Sequence, residues 1–323
     1  MWQATKVQQL LAENNFQSKL VYIKSEGDID LHTALYEMGV QGIFTRSLDI
    51  ALLTDKIDIA VHSMKDVPTQ LPNGVVQSAV LERGSYKDLF VFKDEEKIKN
   101  WNLKGTALNS PLQVGDGIVA TSSIRRKAQW LNRYPQHQIE NIRGNVNTRL
   151  HKVGESNWQG AIFAAAGLER IGLRPENSME LDWMLPAPAQ GAIMVVCRDA
   201  DDFCLDACQH FNDSNTALCT KIERDFLRIL LGGCSTPISA LAQIKEDTII
   251  FKGNILSVDG KEKVEVEMTH AGLNSSGLTS AGMTSSGMTS SGFQAGDLGI
   301  NAAHEILKKG GSEIVKGISN ATK

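Results

Sequence analysis

Three stretches of this chain repeat one plan, and that plan limits the folds open to it. "GIVATSSIRRKAQWLNRY", from Gly117, runs from an apolar strand through small hydroxyl residues into a helix. "QIENIRGNVNTRLHKV", from Gln138, and "GAIFAAAGLERIGL", from Gly160, do the same. Upstream, "SLDIALLTDKI" reads as a helix and "IDIAVHSM" as a buried strand that ends in polar residues. Strands alternating with helices specify an α/β fold on a parallel sheet. Such sheets gather ligand groups beyond the C-terminal ends of their strands, and the polar residues here fall at those ends. The chain opens with a helix carrying Val7, Leu10 and Leu11 on one face, and "KLVYIKS", from Lys19, reads as a strand.

The plan changes near Thr216. A helix, "TALCTKIERDFLRILL", leads into a glycine loop; "ISALAQI", "TIIFKGNILS" and "KVEVEMTH" read as antiparallel strands, and "GINAAHEILKKG" as a closing helix. This is a separate α+β domain. The full length of 323 residues exceeds what one core usually serves. Between Gly272 and Gly292 lies a five-residue Gly-Ser-Thr repeat, whose composition favours a flexible surface insertion.

Bulk properties exclude some classes. The chain is 42% apolar and 22% charged, as soluble globular proteins are, and its net charge of −4 implies no broad nucleic-acid or anionic-membrane surface. No apolar run approaches the roughly 18 residues of a membrane span, and "MWQATKVQQLLAENN" has no signal-peptide core. A cytoplasmic location is the default. The cysteines are Cys197, Cys204, Cys208, Cys219 and Cys234; their number is odd and no CxxC occurs. A disulfide framework or a zinc site is therefore not expected. Cys197, Cys204 and Cys208 read as packing residues.

Four constellations carry chemical content. "AVHSMKDVPTQLP" delivers His62, Ser63, Lys65 and Asp66 at a strand end before Pro68. Asp66 reads equally as a carboxylate that handles a proton or cation and as a turn residue. Next, "ATSSIRR" supplies Ser122, Ser123, Arg125 and Arg126, "NIRGNVNTR" supplies Arg143 and Arg149, and "AGLERIGL" supplies Arg170. Small residues at a helix start leave N–H groups open to anions, and arginine adds a planar fork. Three such junctions favour a polyanion site. Neither phosphate-loop pattern is present, so several carboxylates suit the array. "LPAPAQGAIMVV" reads first as a domain crossover, with Gln190 and Gly191 open to the cleft as the lesser reading. Finally, "LRILLGGCSTPISALA" presents Cys234 on a tight loop, since Gly232 and Gly233 permit unusual φ and Pro237 stops a helix. That context argues against simple packing, and the residues alone leave its role open.

Together "HSMKDVP", "TSSIRR", "RGNVNTRL", "AGLERIGL", "LPAPAQGA" and "GGCSTPI", in this order, resemble the hydroxymethylbilane synthase (porphobilinogen deaminase) family. The resemblance runs from Trp2 to about Ala242 and continues more weakly beyond. It implies two α/β domains like those of type II periplasmic binding proteins plus a C-terminal α+β domain. Domain 1 would comprise 1–84 plus 189–212, domain 2 would be 85–188, and domain 3 would be 213–323, with the low-complexity insertion at 272–292. It implies an enzyme that condenses four porphobilinogen molecules onto a dipyrromethane cofactor, releasing ammonia each time and yielding the linear tetrapyrrole of porphyrin biosynthesis.

Residue by residue, the resemblance makes Cys234 the thioether anchor and Asp66 the catalytic carboxylate. Lys65, Ser123, Arg125, Arg126, Gly144 and Phe44 would surround the cofactor. Arg143, Arg149, Arg170 and Gln190 would take substrate. It requires no metal, nucleic acid or membrane, and implies a monomer. Two departures stand out. The chain starts at "MWQA", so the family's first strand with its Arg-x-Ser segment is absent, and a gap is expected in the domain 1 sheet. Glu37 and Gln41 stand where many members have lysines. The rival readings are an inactive truncated homologue and a non-catalytic binder of small anions, which would need neither Cys234 nor Asp66.

Overall fold

The computed structural model describes residues 1–24, 45–104, 115–230, 236–272, 283–285, 288–290 and 294–321. Helix α1 (Trp2–Glu13) buries Val7 and Leu11, as its spacing requires. Helix α2 (Arg46–Leu53) precedes strand β1 (Ile59–Ser63), and β2 is Val75–Val80. Strand β3 (Asp88–Phe92) is followed by α3 (Glu95–Ile98). The three repeated units become β4 (Ile118–Ala120) with α4 (Ile124–Arg133), β5 (Gln138–Glu140) with α5 (Val146–Glu155), and β6 (Gly160–Ala164) with α6 (Ala165–Glu169). Then come β7 (Ser178–Glu180), β8 (Ile193–Arg198), α7 (Asp202–Gln209) and α8 (Ser214–Ile229). The C-terminal part holds β9 (Ile238–Lys245), β10 (Thr248–Leu256), β11 (Lys263–Ala271), β12 (Met283–Ser285), β13 (Met288–Ser290), α9 (Leu298–Ile306) and α10 (Ser312–Ala321).

Local chemistry sets the helix starts. Ser123, Asn145, Asp201 and Asp213 each accept a hydrogen bond from the backbone N–H three residues on, opening α4, α5, α7 and α8. These caps satisfy donors that a first helical turn leaves bare.

The strands form three sheets, ordered β1-β8-β2, β5-β4-β6-β3-β7 and β13-β12-β11-β10-β9. The expectation of a parallel sheet is met only where β4 lies between β5 and β6. Strand β3 runs antiparallel to β6 and β7, and β8 runs antiparallel to β1 and β2. The cause is the path of the chain. It leaves the first sheet after β2, enters the second through β3, and returns through β8, which slots between β1 and β2. A strand that arrives by crossing between sheets need not run with its neighbours.

Three further sequence expectations change. Residues 19–24 join no sheet, and Val21 and Tyr22 are 52% and 68% exposed. Alternating apolar residues make a strand only where a ladder partner pairs with them. Ile23 instead packs beside the cluster that contains Leu52 and Ala60. The Gly-Ser-Thr repeat contributes a hairpin: β12 pairs with β11, and β13 pairs with β12. The edge of β11 offers unpaired backbone groups, and the threonines suit a strand. The closing helix is followed by a second, α10, after Gly310 turns at φ +102°. The third sheet packs on α8 and α9 through Phe226, Phe251, Ile255 and Leu298. A Cβ on Gly299 would meet the Ile222 carbonyl at 1.9 Å, so these two helices need glycine at their contact.

Candidate active site

Strand β1 delivers the first component. It ends at Ser63 and runs straight into a single 3-10 turn, Met64–Asp66. Met64 is buried, its N–H donates to the Ala192 carbonyl at 3.1 Å, and Val67 N–H closes the turn on the Met64 carbonyl at 3.2 Å. Lys65 and Asp66 are thus set at the end of the β1–β8 ladder. His62, one pleat earlier, is buried inside the strand, and that burial lowers its pKa to about 4. It is a neutral core residue rather than a site residue.

The second sheet delivers the arginines. Arg125 and Arg126 follow the Ser123 cap, both buried, and both are held by Asp88 at the start of β3. Arg125 Nη2 donates to Asp88 Oδ2 at 2.7 Å, and Arg126 Nη2 to Oδ1 at 2.8 Å. Arg125 Nη1 donates to the Leu185 carbonyl, Arg126 Nη1 to the Ile162 carbonyl, and Arg126 Nε again to Asp88 Oδ1. Arg125 Nε is buried without a partner among the described residues. Arg149 Nε donates to the Gly144 carbonyl at 2.7 Å; Gly144 sits at φ +113°, where a Cβ would also strike Thr148 at 2.8 Å.

Electrostatics link these groups. Burial pushes the Lys65 pKa down, Asp66 beside it opposes the shift, and Arg125 and Arg126 add to it. Burial also lowers Arg149, with Arg126 and Arg143 adding like-charge repulsion and Asp66 opposing. Arg170 is lowered by burial and favoured in its charged form by Asp66. Lys65, Arg125, Arg126, Arg143, Arg149 and Arg170 therefore share one electrostatic neighbourhood, in which Asp66, Asp88 and Glu169 are opposing carboxylates. The excess of positive charge is the chemical signature of the site.

The two crossings between sheets meet behind it. Gln190 is 1% exposed; its amide nitrogen donates to the Tyr86 carbonyl at 2.8 Å and to Asp88 at 2.9 Å. Arg170 Nη2 donates to the Gly191 carbonyl at 2.8 Å, and its guanidinium lies 5.8 Å from the Trp2 ring centre. Arg170, Trp2, Lys6, Glu82 and Glu169 line an open cavity of about 580 Å³. Gln190 thus sits within the crossover and its Asp88 network.

Comparison with known proteins decides the family. Residues 1–206 match the family model described as "porphobilinogen deaminase, dipyromethane cofactor binding domain", and residues 217–308 match the one for its C-terminal domain. A porphobilinogen deaminase of Chlorobium phaeobacteroides is 35% identical over 319 residues, covering 98% of this chain and 93% of that protein. A chloroplastic one of Oryza sativa subsp. japonica is 39% identical over 254 residues, covering 78% and 68%. The chain belongs to the porphobilinogen deaminase family. Among solved structures, an ancestral cationic amino acid solute binding protein is 14% identical, covers 64% of this chain and 76% of its own, and has a TM-score of 0.38.

Within the porphobilinogen deaminase frame, the structure brings together Lys65, Asp66, Ser123, Arg125, Arg126, Arg143, Gly144, Arg149 and Arg170. Phe44 and Cys234 lie outside the described residues, as do Glu37 and Gln41. The donors present fit the family's dipyrromethane, a group bearing several carboxylates: the site has surplus cations, and Arg125 Nε is an orphaned donor. The other cysteines, Cys197, Cys204, Cys208 and Cys219, are free and buried, and burial raises their thiol pKa values, Cys197 to about 11.

Sequence reading missed Asp88, Arg83, Glu223 and Arg224. The sign of Asp88 was available in "KDLFVF", an acidic residue opening a wholly apolar strand. Glu223 is fully buried and accepts from Arg83 Nη1 at 2.6 Å, Ala189 N–H at 2.6 Å and Ala242 N–H at 2.8 Å. Its helical spacing alone does not reveal partners so far away in the chain.

Proposed function

We propose that Asp66 and the surrounding cations make this chain act as a hydroxymethylbilane synthase. It condenses four porphobilinogen molecules head to tail, releases ammonia at each addition, and frees the linear tetrapyrrole used for porphyrins when water hydrolyses its bond to the primer. The observation that carries the reading is the setting of Asp66, a carboxylate at a strand end within the field of Lys65, Arg149 and Arg170.

The chemistry needs both signs of charge. The protonated amine of porphobilinogen departs as ammonia when that C–N bond breaks, which leaves a cationic, electron-poor methylene-pyrrole. Asp66 stabilises this cation through its charge and through the pyrrole N–H. It also accepts the proton that leaves the attacked ring carbon once the new C–C bond has formed. Each pyrrole brings an acetate and a propionate, so Arg143, Arg149 and Arg170 orient substrate by its carboxylates. Lys65, Arg125 and Arg126 hold the carboxylates of the dipyrromethane, with Cys234 as its covalent anchor. Bound dipyrromethane supplies the pyrrole carbon to which the first substrate joins. Ser123 and Gly144 set the backbone under these arginines, and Phe44 and Gln190 complete the proposed set.

The same proposal places domain 1 at 1–84 plus 189–212, domain 2 at 85–188 and domain 3 at 213–323, a division the three separate sheets support. It describes a cytoplasmic monomer that needs no nucleic acid or membrane. Free cysteines suit a reducing compartment, and among the described residues no helix is long and apolar enough to cross a membrane.

Intact mass and ammonia release test the reading together. Protein incubated with porphobilinogen should exceed its sequence mass by one dipyrromethane, and Cys234→Ser should remove the excess. Asp66→Asn should keep the added mass yet release ammonia at least a hundredfold more slowly. A bare mass in the parent protein, or unchanged ammonia release in Asp66→Asn, would refute it.

A further inference from the structure

We infer that Arg224, on the helix leading toward Cys234, is a positioning residue that sets the place of Asp66. The inference rests on the reading of Asp66 as the catalytic carboxylate. Arg224 reaches from α8 to the turn after β1. Its Nη1 donates to the Val67 carbonyl at 2.9 Å and the Met64 carbonyl at 3.4 Å; its Nη2 donates to the Pro68 carbonyl at 2.6 Å. These carbonyls bracket Lys65 and Asp66 on both sides.

The turn needs such a partner. A single 3-10 turn leaves its last carbonyls without donors. Within the turn, Val67 N–H satisfies only Met64, and Pro68 has no N–H to offer the carbonyls before it. On its N-terminal side the segment is fixed by the ladder of β1 and β8 and by the Met64 bond to Ala192. On its C-terminal side the guanidinium takes over. A planar fork reaches neighbouring carbonyls together, which a single ammonium cannot do with the same geometry.

The mounting of Arg224 is also rigid. Its neighbour Glu223 is clamped by Arg83, Ala189 and Ala242, so the backbone carrying Arg224 is tied to both crossovers and to β9. Cys234 follows ten residues after Arg224 in the chain. One helix thus carries the group that holds the acid's turn and leads to the residue that anchors the growing product. These three bonds from Arg224 all end on backbone carbonyls of the turn, so through them its effect on chemistry passes by way of Asp66.

The test compares Arg224→Ala, Arg224→Lys and, as a control on the same helix, Arg228→Ala, with the parent protein. Expected for Arg224→Ala are a retained dipyrromethane mass, a KM within about twofold of the parent, and a kcat lower by roughly 10- to 100-fold, the scale of a misplaced catalytic group. Arg224→Lys should recover only part of that loss, and Arg228→Ala none should be lost. In an Asp66→Asn background, Arg224→Ala should cost little more. Four results would overturn the inference: kcat in Arg224→Ala within twofold of the parent, parallel loss of cofactor mass and KM, full recovery by lysine, or an undiminished penalty in the Asp66→Asn background. If Arg224→Ala does not fold, Arg224→Lys decides by the same split of kcat from KM. A parent protein without turnover would refute the proposed function and this inference with it, whereas an active parent with an indifferent Arg224→Ala refutes the positioning role alone.

Discussion

Asp88 is fully buried, with guanidinium groups on both carboxylate oxygens. Burial raises its pKa, but Arg125 and Arg126 outweigh that and hold it at about 2, against an ordinary 3.8. A depressed carboxylate stabilises the fold above its unfolded pKa, and that stability is lost as pH falls through the folded value. The difference is worth about 2 kcal/mol, present above about pH 4 and gone near pH 2. Asp88→Asn removes the charge and leaves two buried arginines uncompensated, which costs about 3–5 kcal/mol at neutral pH. Denaturant unfolding from pH 7 down to pH 2 should show a lower parent-minus-variant difference at the acid end. A difference that stays constant across that range would mean the two arginines do not control the Asp88 carboxyl. The pairing also explains a limit of sequence reading. "TSSIRR" announces arginines at a helix start, but the acid that fixes their forks lies 37 positions earlier, and nothing local marks it as their partner.

At the scale of elements, α4 and α5 were legible because each carries its own cap and apolar face, and α6, which has no side-chain cap, was legible from its apolar residues alone. The direction of β3 and β8 was not, because an apolar run reads alike in either direction and its neighbours lie far off in the chain. What settles direction is the pair of crossings between the first two sheets, and these touch backbone to backbone: Gly84 N–H donates to the Gly191 carbonyl at 3.2 Å. Gly191 sits at φ +89°, and a Cβ there would meet the Gly84 and Ser85 carbonyls at 2.6 and 2.8 Å. Neither contact is the end of a flexible side chain, so one crossing must move. Gly191→Ala should therefore cost at least about 2 kcal/mol, from left-handed strain plus the clash. The Arg170 bond to the Gly191 carbonyl should loosen with it and raise KM for porphobilinogen. Gly84→Ala is the matched control, since its added Cβ meets nothing closer than 3.6 Å. Equal melting temperatures for the two variants would show that the crossings are not tightly apposed.

Across the whole molecule, one buried carboxylate ties the third unit to both crossings between the first two sheets. Glu223 belongs to α8 of the third unit. It pairs with Arg83 on the outgoing crossover, accepts from Ala189 N–H on the returning one, and accepts from Ala242 N–H in β9. Ala189 is held at φ +60°, a strained conformation for a residue with a Cβ, and its bond to Glu223 offsets part of that cost. Arg83 is only 11% exposed at its side chain, so its guanidinium lies largely out of water with Glu223 as its ion-pair partner. Glu223→Gln keeps the shape but removes the charge and supplies an amide where a second acceptor oxygen was needed. The expected loss is about 3–5 kcal/mol, the scale for breaking a buried pair from one side. Its distribution is the sharper prediction. If Glu223 is the common joint, amide exchange should rise together at Ala189 and Ala242, on different units, while amides in the middle of β10 change only with global stability. Exchange that rises at Ala242 alone would make Glu223 a local brace of the third unit, and the first two sheets would then hold their crossovers without it.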